Sequence, residues 1–335
     1  MSRCCTIDAP GKINLHLEVG ERRADGYHDL VSVFASLGFG DTLVFSVLGE
    51  GFPRNFTALE ITGPYSGADG LSSGENTVVR AAALFRERTG YDRPVRASLE
   101  KRVPPGGGFG GGSSDAASAL LALDALAETR LGDGELAEMG EKLGSDVPFF
   151  LSGGAALVTG RGERVESLET PDVRLSVVLV NPGFPSGTAE AFAKLDRFRE
   201  KNAEARRFLG PGCGKAGPDS GDGGNSPGPK KLGVEELAFF LRENPASWPY
   251  GNDFLPVLRE DEEHGAVYER IFRELRELGS DFSGLSGSGS SCFGIFTDKG
   301  VAEKAYNSLF RSWNFVKLTF FLAHRPKPVL EYLYA

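Results

Sequence analysis

The chain has 335 residues, 40% of them hydrophobic and 25% charged, with a formal net charge of −9. That length fits two moderate domains, or one domain with a large insertion. The acidic balance argues against general binding to nucleic acid or anionic membranes, since a long-range basic field is missing, while a local nest of N–H groups still leaves room for an anionic substrate.

The pattern opens with strands. KINLHLEV (12–19) alternates apolar and polar residues, Asp25-Gly26 supplies a turn, and DTLVFSVL (41–48) is a further strand. ENTVVRAAALFRERTG has apolar residues at helical spacing and stops at Gly90. VRASLEKRV is a strand leading into a glycine-rich loop, after which a helix is predicted from Ser113 to about Glu128 and another over 133–143. GSDVPFFLSGGAALVTGRGERV holds a short turn or helix and then a hairpin. RLSVVLVNPG (174–183) is a buried strand, and GTAEAFAKLDRF is a helix.

From 209 to 233 the composition changes. This stretch is dense in Gly, Pro, Ser and Asp, cannot bury enough apolar surface to order itself, and is expected to be a flexible insertion. Helices are predicted at 234–242 and at about 252–278. A second glycine-serine loop, SGLSGSGSSCFGIF, a helix over 299–311 and a final strand, FVKLTFFLA, complete the chain. Antiparallel hairpins at the front and irregular alternation later favour an α+β fold over a doubly wound parallel sheet.

The four cysteines, Cys4, Cys5, Cys213 and Cys292, match no zinc spacing and no disulfide framework, which fits a reducing compartment. The N-terminal stretch lacks the apolar core of a secretion signal, and no uninterrupted apolar run reaches about 18 residues, so a cytoplasmic protein without a membrane span is expected.

Six glycines fall between Gly106 and Gly112, and such a cluster is costly to order without a purpose. A Walker A loop is excluded because no lysine follows. Gly106, Gly108 and Gly111 satisfy a dinucleotide fingerprint, but Pro104-Pro105 stand where a tight strand-to-turn transition is needed, and the preceding strand is charged. Two readings remain: a flexible helix entry, or a phosphate cradle in which exposed helical N–H groups and N-cap hydroxyls from Ser113 and Ser114 meet an anion. The serine pair and the strong helix behind it favour the cradle.

PPGGGFGGGSSDAA resembles the second motif of the GHMP kinase superfamily, small-molecule kinases with a Pro-x-Gly-Gly-Gly-Leu-Gly-Gly-Ser-Ser loop for ATP. APGKINL (9–15) is similar to the first motif and SGSGSS (286–291) to the third, in matching order. RRADGYHDLVSVFASLGFGDTL, with ENTVVRAA and LGSDVPFFLSGGAALVTGRGE, resembles the branch acting on 4-diphosphocytidyl-2-C-methyl-D-erythritol in the non-mevalonate isoprenoid pathway. The likeness is good over about 5–190 and looser over 250–325.

This resemblance implies a two-domain fold. An N-terminal ATP-binding domain (1–165) resembles domain 2 of ribosomal protein S5, and a C-terminal ferredoxin-like α/β sandwich (166–335) carries the insertion. It implies transfer of the ATP γ-phosphoryl group to a hydroxyl, with magnesium held mainly by phosphates and no dedicated metal ligands. Small molecules would be the partners, without nucleic acid or membrane, and the assembly a monomer or weak homodimer.

Residue by residue, the resemblance makes Asp146 the base and Lys12 the group that stabilises phosphoryl charge and holds Asp146 ionised. Read without it, Asp146 before Pro148 is an N-cap and Lys12 a solvated edge lysine. Asn14, on the same strand face as Lys12, would bond the substrate. Tyr27 and Phe192 would sandwich the cytosine while His28 reads its edge, with Thr188 near the diphosphate or ribose on the same helical face as Phe192. Asn76 and Lys101 would lie near the adenosine, and Gly106, Gly107, Gly108, Gly110, Gly111, Gly112, Ser113 and Ser114 would cradle the phosphates. The third motif, Gly287–Ser290, would pack against that loop.

Three departures stand out. Phe109 replaces the usual leucine, Gly11 a frequent alanine, and Asp115 a common asparagine. Asp115 would oppose the phosphates and weaken ATP binding. Rival readings are a homoserine- or mevalonate-type kinase, which has no need of DGYH; a non-catalytic nucleotide-binding homologue, which has no reason to keep both Lys12 and Asp146; and a nicotinamide-dependent dehydrogenase.

Overall fold

The computed structural model describes residues 2–49, 51–68, 71, 74–170, 175–209 and 232–333. The insertion expected at 209–233 lies outside the described residues except at its two ends.

Two long antiparallel strands open the chain, β1 (Ser2–Arg22) and β2 (His28–Val47). Asp25 Oδ1 accepts the Tyr27 N–H in the turn between them, and Gly26 takes a φ of 85°. Both strands exceed the lengths that alternation predicts, because register shifts after Pro10, Asn14 and Val19 let the ribbon bend without ending. The next elements are β3 (Thr57–Thr62), α1 (Thr77–Thr89), β4 (Val95–Glu100), α2 (Gly111–Ala127), α3 (Asp133–Leu143) and α4 (Val147–Ser152). Gly90 stops α1 in the left-handed conformation, as its position predicts. The hairpin β5 (Ala155–Gly160) and β6 (Arg164–Leu168) completes a seven-stranded sheet. Within it the bent β2 pairs with β4 at 42–47 and with β5 at 30–35.

The second half contains β7 (Ser176–Asn181), α5 (Thr188–Leu209), α6 (Val234–Phe240), α7 (Phe254–Arg259), α8 (Gly265–Glu277), β8 (Phe282–Leu285), β9 (Cys292–Phe296), α9 (Lys299–Leu309) and β10 (Phe315–Phe320). Its four strands form an antiparallel sheet in the order β10-β7-β9-β8. The last strand, β11 (Val329–Leu333), returns to the first sheet and pairs with β1. Among the described strands every pairing is antiparallel except β3 with β4, so the α+β expectation holds.

The helix expected over 252–278 is two helices. Asp261 Oδ1 accepts the N–H groups of Glu263 and His264, and this local turn competes with helical bonding between α7 and α8. Strand β7 is apolar at every central position for a reason: Val177 and Leu179 face one core cluster while Val178 and Val180 face another. The first of these clusters joins the two sheets through Ile13, Leu37, Leu157, Phe293 and Ile295. A separate core packs α1, α2 and α4 on the first sheet around Phe45, Phe85, Leu120 and Phe149. Together these layers fix β1, the glycine loop and the start of α5 around one cleft.

Candidate active site

The cleft is a cavity of about 560 Å³, a size suited to small molecules. Its floor is the glycine loop. Gly110 occupies the N-cap of α2 with φ 70°, and the helix begins at Gly111, two residues before the predicted start. The serines are therefore in the first turn and not at the cap. Ser113 lines the cavity, whereas Ser114 is wholly buried and does not. The N–H groups of Gly111, Gly112 and Ser113 precede the first intrahelical bond, Ser114 N to Gly110 O at 2.9 Å, and so remain for an anion.

Glycine is required at 108 on two counts. Its φ is 82°, and a Cβ there would lie 2.2 Å from Ser286 O. That close approach seats the third motif on the loop. Ser286 Oγ donates to Gly108 O (2.8 Å), the Ser291 N–H donates to Gly107 O (3.2 Å), and Gly106 O accepts from Ser186 N (3.2 Å). The loop is tied to β1 as well, through Lys12 N and Phe109 O at 2.9 Å, at the bulge occupied by Gly11. Phe109 is buried in the core between the sheets, so the replaced leucine is filled by another apolar side chain.

Lys12 and Asn14 share one face of β1, as their spacing predicts. Lys12 Nζ donates to Asn14 Oδ1 (2.7 Å), stands 3.5 Å from Asp146 Oδ2 and lies 4.4 Å from the centroid of the Phe34 ring. Lys12 is buried, not a solvated edge lysine, and burial lowers its pKa while Asp146 opposes that shift. Asn14 is held on both sides: Oδ1 also accepts the Gly287 N–H (2.8 Å), and Nδ2 donates to Ser32 Oγ (3.0 Å). Asp146 sits at the N-cap of α4 but makes no capping bond, which leaves its carboxylate turned to Lys12 and the cavity.

Lys101 and Asn76 line the cavity, and each also bonds within the protein. Lys101 Nζ bridges Asp41 Oδ2 (2.5 Å) and Asp115 Oδ2 (2.7 Å), with all three residues buried. Asp41 Oδ1 also accepts the N–H groups of Arg102 and Val103. Burial acts to lower the Lys101 pKa, but the two carboxylates outweigh it and the net shift is upward. Burial, with help from Asp41 and against the pull of Lys101, pushes the Asp115 carboxyl up to about 7. The expected bare negative charge at Asp115 is thus corrected: Lys101 pairs with its carboxyl from beneath the loop, sharing itself with Asp41. Asn76 caps α1, accepting from Val78 N (2.9 Å) and donating to Leu71 O (2.7 Å).

At the other end, Thr188 and Phe192 project from the first turns of α5 into the same cavity. His28 stacks on Phe192 with ring centroids 5.1 Å apart. Its Nδ1 lies 3.1 Å from Gly20 O, and its Nε2 is 3.5 Å from Asp196 Oδ2. Both ring nitrogens thus face protein partners. Tyr27 does not meet Phe192. It is 54% exposed, outside the cavity lining, with the Arg161 guanidinium 4.1 Å over its ring, because the Asp25-Gly26 turn directs it outward. The two-ring sandwich is not assembled.

Several site residues escape sequence reasoning. Ser32, Phe34 and Asp41 lie inside the 22–43 stretch, but no role follows for them from the order of residues, and Phe254 carries no motif. Asn252, which ties the third motif down through Leu285 O (2.9 Å) and Gly287 O (2.8 Å), had no signal beyond its place after a glycine. Among the described residues no group of three or more His, Cys, Asp or Glu is placed to hold a metal, and no helix is long and apolar enough to cross a membrane.

Comparison with known proteins gives the geometry a context. Residues 76–154 match the GHMP kinases N terminal domain, and residues 246–314 match the GHMP kinases C terminal domain. The chain is 35% identical over 309 residues to a 4-diphosphocytidyl-2-C-methyl-D-erythritol kinase of Treponema pallidum, covering 92% of this chain and 95% of that one. It is 36% identical over 300 residues to the enzyme of that name from Mycolicibacterium gilvum, covering 89% and 83%. A crystal structure of 4-(cytidine 5'-diphospho)-2C-methyl-D-erythritol kinase superposes with a TM-score of 0.68 at 32% identity, covering 96% of this chain and 99% of that one. A homoserine kinase from Cytophaga hutchinsonii superposes at 0.63 with 16% identity over 98% and 97%, a likeness of fold alone.

Proposed function

The chain belongs to the 4-diphosphocytidyl-2-C-methyl-D-erythritol kinase family of GHMP kinases, and on that premise we propose that it transfers the γ-phosphoryl group of ATP to a hydroxyl of 4-diphosphocytidyl-2-C-methyl-D-erythritol, giving the 2-phosphate. The observation that carries the residue assignments is the uncapped Asp146 carboxylate facing the buried Lys12 across one cavity with the glycine loop.

Phosphoryl transfer needs positioning, charge neutralisation and a proton acceptor more than covalent work. The N–H groups at the start of α2 take the ATP phosphates. Asp146 orients the acceptor hydroxyl and receives its proton late in the transfer. Lys12, dried by burial and aimed by Asn14, meets the charge that builds on the phosphoryl oxygens, where a low-polarity setting makes it effective. Lys101 acts one layer below, holding the loop through Asp41 and Asp115.

Magnesium fits as an ion carried by the phosphates, since the cavity offers separate oxygen donors from Asp146, Glu75 and Ser113 and no cage. When bound it neutralises phosphate charge. The cytidine end is taken by Thr188 and the Phe192 face, with His28 bracing Phe192 from behind and Tyr27 at the margin.

The test is a comparison of the wild-type chain with Asp146→Asn, following phosphate-ester formation by phosphorus NMR. A loss of roughly 10²–10⁴ in kcat with ATP affinity retained supports the assignment. Near-normal turnover in the variant removes Asp146 from the proton transfer.

A further inference from the structure

A second cavity, of about 640 Å³, lies behind the first. Asp41 lines it, whereas Lys101 and Asp115 line the first, so the buried ion pairs form the partition between the two. Its walls come from the β1–β2 ribbon around Pro10 and Gly40, the end of β10, and the segment that leads into β11. Nothing in the phosphoryl transfer described above uses it.

Its lining is opposite in sign to the chain as a whole. Arg102, Lys317, Arg325 and Lys327 line it, against two acids, Asp8 and Asp41. Asp41 is saturated by Lys101 and two backbone N–H groups. Asp8 accepts from Thr42 Oγ1 at 3.1 Å. Arg325 is turned to Asp133 and Leu151 O, and so contributes wall more than charge. The other cations are less committed. Among the described residues Lys317 and Lys327 make no ion pair. Arg102 donates through Nη2 to Thr42 Oγ1, but its Nε is buried without a hydrogen-bond partner among the described residues.

The same cavity has an apolar side. Phe39 and Phe320 both line it, and Phe320 is 46% exposed. Lys317 Nζ lies 5.4 Å from the Phe39 ring centroid, which sets charge and ring side by side. Gly38 gives Phe320 its seat: a Cβ there would come 2.6 Å from the ring. The concave shape and volume suit a small molecule and not a duplex or a membrane surface, which the net charge of −9 would also repel.

We propose that this cleft is a second binding site, for a small organic phosphate or diphosphate whose anionic group meets Lys317, Lys327 and Arg102 and whose apolar part lies on Phe39 and Phe320. A doubly charged oxyanion answers several converging cations at once, which a neutral ligand does not.

The test is calorimetric titration of the full chain with phenyl phosphate, with the first cavity kept filled by a non-hydrolysable ATP analogue. The expected result is one phenyl phosphate per chain, undisplaced by the analogue and bound several-fold more tightly than inorganic phosphate. In the Lys317→Glu/Lys327→Glu variant, both exposed positions, binding should weaken at least about tenfold while the affinity for the analogue is unchanged. Displacement by the analogue, equal binding by the variant, or no saturable binding would each overturn the proposal. None of these outcomes depends on which hydroxyl the first cavity phosphorylates.

Discussion

Lys12 Nζ stands 3.5 Å from Asp146 Oδ2 with only 5% of the lysine side chain exposed, and Asn14 Oδ1 holds it from the other side at 2.7 Å. Burial lowers the Lys12 pKa and the carboxylate raises it. The charged form is the one that meets phosphoryl charge, so activity should fall as pH rises through that lowered pKa. The alkaline limb of kcat should therefore lie below the ordinary lysine value of about 10.4. In Asp146→Asn the upward influence is gone, and the limb of the residual activity should move to lower pH still. A pH–rate profile of both proteins checks this. An unmoved limb would mean that Lys12 does not titrate against Asp146.

Asp115 carries a pH dependence of stability. Its folded pKa, about 7, lies above the unfolded carboxylate value of about 3.9. Between these values the folded state keeps a proton that the unfolded state has lost. The stability from that proton is present at the acid end and declines as pH rises through the window. Asp115→Asn cannot ionise, so the melting temperature of the variant relative to wild type should increase from pH 5 to pH 8. Parallel profiles would contradict the assignment.

Gly108→Ala should damage the loop and its dock together. The substitution forces a side chain into φ 82° and into Ser286 O. The expected cost is about 2 kcal/mol or more, seen as a lower melting temperature and a KM for ATP raised at least several-fold. Unaltered values of both would show that the loop moves freely away from the third motif.

Phe192→Ala should raise the KM for the cytidine substrate by roughly 10-fold or more, since stacking on one base contributes about 1–3 kcal/mol, with the KM for ATP little altered. Tyr27→Ala should do less, because Tyr27 lies outside the cavity under Arg161. Equal effects would mean that Tyr27 closes over the base when the substrate arrives.

Much of this arrangement is legible in the order of residues. The glycine loop, the Lys12–Asn14 spacing, the i, i+4 placement of Thr188 and Phe192 and the stop at Gly90 each follow from local rules that survive folding. What is not legible depends on distant partners. Lys101 reads as a nucleotide ligand until Asp41, sixty positions earlier, is brought beneath it. Asp115 reads as a repulsive charge until Lys101 reaches it. Strands β3 and β11 are short edge strands, and β11 pairs across a separation of more than 320 positions that no local pattern encodes. The long helix expected at 252–278 fails at Asp261, where a side chain outcompetes the backbone for two N–H groups.

The most direct test of the central claim is ATP-dependent phosphorylation by the purified chain, with magnesium, offered 4-diphosphocytidyl-2-C-methyl-D-erythritol, homoserine, mevalonate and galactose in turn. Turnover confined to the cytidine substrate is the expected result. Turnover of homoserine or mevalonate instead, or ATP binding with no transfer to any acceptor, would contradict it.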